Sequence, residues 1–149
     1  MSPRTHPPGR WLIAAACLVA VSATAANVNW DTSTEAGYQS GSGRWGADAY
    51  WTVDGVALKS WLPGDSATFL GDAQGVVDAI TLTANQSVAG LAFGSSGTWG
   101  AWTLSGATLN LTNPSVDVAS GSSVVLANAV GGSVGLTRSE EHTSELQSH

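Results

Sequence analysis

The densest set of groups able to bind a metal or move a proton lies at the end of the chain. RSEEHTSELQSH, residues 138–149, supplies three of the four Glu and two of the three His in the sequence. Glu141, His142 and His149 combine carboxylate and imidazole, a donor set suited to zinc. Upstream, Asp72 with Asp78 would be a carboxylate pair for glycoside hydrolysis, and Asp117 a lone one. Asp65, Asp72 and Asp78 stand near glycines and offer the hard oxygens that calcium takes, but the Gly-Gly-x-Gly-x-Asp repeat of calcium β-rolls is missing. Turn formation accounts for these acids more simply. Trp45, Trp51 and Trp61 could stack on the apolar face of a pyranose, and they could equally pack a loop-rich segment that has no disulfide to hold it.

The composition of the remaining chain narrows these choices. Between Ala26 and Thr137 there is no His and no Cys. That excludes a Ser-His-Asp triad, a Cys nucleophile with a His base, and a zinc site of His or Cys. The same span carries eight acids (Asp31, Glu35, Asp48, Asp54, Asp65, Asp72, Asp78, Asp117) against Arg44 and Lys59. A net charge of −6 without a basic cluster argues against nucleic acid and anionic membranes as partners. No residue set calls for a cofactor, and the expectation is a non-enzymatic protein.

The elements that would position these residues begin after a leader. Arg4 and Arg10 precede the apolar run WLIAAACLVAV, residues 11–21, which is short for a membrane span. Ala23-Thr24-Ala25 follows as a small-x-small site, so cleavage is expected before Ala26, with residues 1–25 as a signal peptide. Cys17 goes with the leader, leaving an exported chain without disulfides.

From Ala79 onward apolar residues recur two apart: Ile80 and Leu82, Leu91 and Phe93, Trp102 and Leu104, Leu109 and Leu111, Val116 and Val118, Val124 and Leu126, Val134 and Leu136. This is the period of strands with one buried face, and Thr81, Thr103, Asn110, Asp117 and Gly135 fall on the other. Breaks at Ser96-Gly97, Ser105-Gly106, Asn113-Pro114 and Ser120-Gly121 separate them. Strand onsets near 79, 87, 101, 107, 115, 123 and 133 return at every third strand after 28, 28, 22 and 26 residues. Coils of three short strands would produce that spacing, so the expected fold is all-β: a short right-handed parallel β-helix, or solenoid, of about two coils. Residues 26–78 differ, holding Trp30, Trp45, Trp51 and Trp61 among glycine-rich loops. They are expected to form a cap over exposed strand edges, with Asp54-Gly55 as a two-residue hairpin turn.

The stretch QSVAGLAFGSSGTWGAWTLSGATLNLTNPSVDVASGSSVVLANAVGGSVGLT, residues 86–137, resembles the autotransporter-associated β-strand repeats of bacterial surface proteins. The spaced tryptophans followed by PGDSATF resemble the lead-in that often precedes them. The resemblance implies a β-helical passenger region, export, and display at the surface of a Gram-negative-type bacterium. It further implies an outer-membrane translocator barrel in the full-length protein, which this sequence lacks after Thr137. Host or matrix glycans or proteins would then be partners.

The tail departs from that pattern. RSEEHTSELQSH resembles a common sequencing-library adapter translated in frame, from AGA TCG GAA GAG onward, and it starts where the repeat pattern stops. On this reading Glu141, His142 and His149 leave the list of site candidates. The chain divides into a leader (1–25), a Trp-rich cap (26–78), a β-helix repeat region (79–137) and an adapter-derived tail (138–149). The expected function is that of a surface stalk or adhesin scaffold. The alternative is a secreted carbohydrate-binding β-module using Trp45, Trp51 and Trp61, which must then form an exposed coplanar row.

Overall fold

A computed structural model describes residues 24–71, 76–95, 98–113 and 115–132, together with the backbone of 137–140. The leader before Thr24, Asp72, and the expected strand at 133–136 lie outside the described residues. So do the tail candidates Glu141, His142 and His149. Every regular element among the described residues is a strand.

The chain enters through β1 (Asn27–Trp30), β2 (Gly43–Trp45), β3 (Trp51–Thr52) and β4 (Ser66–Phe69). Then follow β5 (Val77–Leu82), β6 (Gln86–Val88), β7 (Gly90–Phe93), β8 (Ala101–Gly106) and β9 (Leu109–Leu111). Last come β10 (Ser115–Val118), β11 (Ser123–Leu126), β12 (Val130–Gly132) and β13 (Thr137–Glu140). They assemble into three sheets, in the orders β13-β10-β7-β4-β1-β3, β11-β8-β5-β2 and β12-β9-β6. From β4 onward each strand pairs in parallel with the one three places along.

Parallel pairing in register puts like positions above one another. Val28, Ala67, Leu91 and Val116 form one column, and Trp30, Phe69, Phe93 and Val118 the next. Ile80 lies over Leu104 and Leu126 in the second sheet, and Val88 over Leu111 in the third. Strand alternation sends these residues inward together, and most are fully buried. On the outward side Thr81 and Asp117 are exposed and Thr103 and Asn110 half-covered, alongside exposed Val77 and Val125. Burial fades along the stack, since Val124 and Leu126 are only half-buried and Val130 is exposed.

The alternation read from the sequence therefore matches the described strands, with two differences. Residues 87–93 form two strands, β6 and β7, broken at Ala89, whose N–H donates to the Asp65 carbonyl instead of extending either strand. The third strand of the last rung is Val130–Gly132, where glycines obscure the pattern.

The expected boundary at residue 78 is not a break in the sheets. β1 pairs with β4 and β2 with β5, both in parallel, so the Trp-rich segment supplies strands to the same architecture. Large connections between those strands hide the period from the sequence. Edge coverage is nonetheless real: β3 runs antiparallel along the outer edge of β1. Gly64 N–H donates to the Ser87 carbonyl on the free side of β6.

Asp54-Gly55 does not make a two-residue hairpin turn. The antiparallel bridge joins Trp51 to Lys59, leaving a wide loop between them. One Asp54 carboxylate oxygen accepts from Val56 N–H at 3.0 Å, Ala57 N–H at 2.9 Å and Thr52 Oγ1 at 2.9 Å. These local bonds compete with a tight ladder and win. Gly106 closes β8 at φ 95°, where an added Cβ would stand 2.4 Å from the Leu82 carbonyl oxygen.

Two substitutions test this packing. Phe69→Ala removes the ring stacked on Phe93 at 4.9 Å and should cost about 3–5 kcal/mol in urea unfolding. Gly106→Ala should cost about 1–3 kcal/mol through backbone strain, by the same measurement. A loss below about 0.5 kcal/mol in either would contradict the stacked arrangement.

Candidate functional site

Three regions hold the residues that could act on another molecule: the tryptophans, the acids and the outer face of the six-stranded sheet. Trp45, Trp51 and Trp61 do come together. Their ring centroids lie 4.8 Å apart for Trp45 and Trp51, 4.8 Å for Trp45 and Trp61, and 4.7 Å for Trp51 and Trp61. The planes are inclined at 58°, 75° and 52°, so no coplanar row exists. Trp45 and Trp51 are 0% exposed and Trp61 is 8% exposed.

The sugar-stacking arrangement is thereby corrected. The indoles cover one another and Phe69, so their faces are not available to a pyranose. Burying rings of this size is among the largest apolar contributions a small fold can make, and edge-to-face contact adds about 0.5–1.5 kcal/mol per pair. Trp30 joins the cluster at 5.2 Å from Trp51, and its Nε1 donates to the Gly41 carbonyl at 2.8 Å. Among the described residues the exposed indole is that of Trp99, at 40%, on a loop.

The described acids are dispersed over turns, loops and two strands. Asp31 is buried, and its Oδ1 accepts from Ser33 N–H at 3.1 Å and Gln39 N–H at 3.2 Å, folding the connection from β1 to β2. Asp48 pairs with Arg44 at 2.9 Å across an exposed turn. The Arg44 side chain, helped by the Arg44 backbone N–H, holds that carboxyl below its ordinary range. Asp65 is buried against the start of β1, where its Oδ1 accepts from Ala26 N–H at 2.9 Å. Asp78 is buried at an inward position of β5 and is engaged. Asp117 faces outward on β10 and accepts from Ser115 Oγ at 2.9 Å. Among the described residues no three His, Cys, Asp or Glu side chains gather where they could hold a metal ion.

The outer face of the six-stranded sheet carries a groove of about 330 Å³, floored by Thr68, Ala92 and Gly90 and bordered by Asn27, Asn113 and Asp117. Its members come from β1, β4, β7 and β10, one from each rung. Residue spacing along the chain hides this set, although the offset between stacked strands would have revealed it. A smaller recess of about 150 Å³ lies by Asp48, Ser60, Trp61 and Gln86. The groove offers small hydroxyls, amides and one carboxylate, that of Asp117, which accepts from the Ser115 hydroxyl at 2.9 Å.

Comparison of the chain with protein-family models, with curated proteins and with solved structures finds no match.

One titration is expected to be visible. Asp54 has its carboxyl held below the usual value, first by the Ala57 N–H, then by the Val56 N–H and the Thr52 hydroxyl. A depressed folded-state pKa stabilises the loop above the ordinary carboxylate pKa, and that stabilisation is lost as pH falls through the lower folded value. Protection of the Val56 and Ala57 amides, taken relative to their intrinsic exchange rates, should fall as pH drops through the lowered Asp54 value. Asp54→Ala should remove that protection near neutral pH, while the amides of β5 and β8 stay protected. Unchanged exchange at Val56 and Ala57 in that variant would refute the capping role.

Proposed function

We propose that this chain is the N-terminal part of an exported passenger-type surface protein. Its three sheets would be the first coils of a right-handed parallel β-helix serving as a scaffold or stalk. The observation that carries the reading is the three-strand return: each rung repeats its inward apolar column under the next, and parallel crossovers in one sheet are almost always right-handed. Such a stack gains length by adding rungs without changing its cross-section, which suits a protein that must reach away from a cell.

The surface chemistry agrees with that role. Outward positions include Thr81, Thr103, Asn110 and Asp117, the last accepting from Ser115 Oγ, while Trp30, Trp45, Trp51 and Trp102 are buried. An adhesin function would then reside on loops or on further rungs. The proposal includes the leader and its cleavage before Ala26, and a tail derived from an adapter. β13 takes in Arg138, Ser139 and Glu140, but strand addition uses main-chain groups and accepts almost any extended segment.

The decisive experiment is amplification of genomic DNA across codons 130–149, followed by expression of the recovered gene in a Gram-negative host. The expected result is further alternating strands in place of RSEEHTSELQSH, and antibody labelling of the chain on intact cells. Recovery of RSEEHTSELQSH from genomic DNA would overturn the adapter reading. A product confined to the periplasm or cytoplasm would overturn surface display.

A further inference from the structure

The first ordered rung begins at a buried carboxylate. Ala26, half-buried against the core, is held at both ends of its peptide unit: its N–H donates to Asp65 Oδ1 at 2.9 Å, and its carbonyl accepts from Ser66 N–H at 2.8 Å. Thr24 and Ala25, just before it, are exposed. Asp65 is only 4% exposed. Its Oδ2 has no hydrogen-bond partner among the described residues; the Lys59 ammonium stands 3.6 Å away, an ion-pair distance too long for a hydrogen bond.

A buried carboxylate held by one neutral N–H and one distant cation is under-compensated, because removing a charge from water costs several kcal/mol unless it is closely paired. We propose that Asp65 is the docking site for the new α-amino group of Ala26 once the leader is removed. The step is hydrolysis of the Ala25–Ala26 peptide bond by an export-coupled endopeptidase. One water is consumed, Ala25 keeps a carboxylate, and the Ala26 amine takes up a proton. The nitrogen already in contact with Oδ1 thereby changes from an amide with one N–H into an ammonium with three donors and a full positive charge. Before cleavage only the acceptor carries charge; afterwards both partners do, which strengthens the bond and adds a direct ion pair.

The consequence is a fold completed by its own processing. β1 closes the first rung by pairing with β4, and Asp65 sits immediately before β4 while also accepting from Ala89 through its carbonyl. Fixing Ala26 there ties the start of the mature chain to two sheets at once. An uncleaved chain makes the same contact with a neutral donor only. The inference rests on reading residues 1–25 as a leader.

Two measurements separate that reading from the docking itself. First, the full chain is exported and the purified product is weighed: a mass starting at Ala26 supports cleavage there, and any other start overturns it. Second, two chains are released from a carrier by protease, one beginning at Ala26 and one at Thr24, each with and without Asp65→Asn. The Ala26 chain should melt about 4–8 °C higher than the Thr24 chain, and Asp65→Asn should abolish the difference. Equal midpoints, or a difference that survives Asp65→Asn, would overturn the docking.

Should the Asp65→Asn chains not fold, the unaltered Ala26 chain still decides. Its α-amine should react with an amine-acylating reagent at least about tenfold more slowly than the free peptide of residues 26–29, the loss of reactivity that a buried charge-assisted bond of about 1.4 kcal/mol or more produces. Equal reactivity would refute the site.

Discussion

The structure depends on one geometric condition: inward side chains of successive rungs must lie directly above one another. Trp30, Phe69, Phe93 and Val118 occupy equivalent positions of β1, β4, β7 and β10, and the parallel register keeps them there. Phe69 and Phe93 lie nearly face to face, with an interplanar angle of 9°. A slip of one residue would turn every inward side chain to solvent, so the main-chain ladder and the apolar column enforce each other.

Around β1, β2 and β3 the packing is of a different kind. Here the protein uses bulk. Trp30, Trp45, Trp51 and Trp61 interlock across β1, β2 and β3 and the loop that follows. Indole N–H groups of Trp45, Trp51 and Trp61 find no acceptor among the described residues. An orphaned N–H typically costs about 1–3 kcal/mol, less than the area these rings remove from water returns. Packing outweighs polar satisfaction in this corner, and that is why the rings cannot also serve as a binding platform.

Polar groups are handled mainly by local closure. Asp31, Asp48, Asp54 and Asp117 each engage a group within about eight residues, so they shape turns and stay separate from one another. Asp65 is the exception, reaching across the chain to Ala26. Its long-range contact links the entering segment to the start of β4, and its second oxygen has only the Lys59 ammonium at 3.6 Å beside it.

Much of this was legible in the sequence. Inward residues from Ile80 to Val116 follow from a period of two, because strand geometry sends alternate side chains to opposite faces whatever they meet. The absence of His and Cys from the span 26–137 constrained chemistry equally directly. Asp54-Gly55 misled, since the dipeptide signals a reversal but not its width, and Thr52 and Asp54 decided that through bonds to nearby amides. Tertiary structure alone decided whether the indoles face solvent, that β1, β2 and β4 share sheets with the later strands, and that Asp65 meets Ala26. Each of these depends on which distant segments become neighbours, and chain spacing carries no record of that until the rungs have stacked.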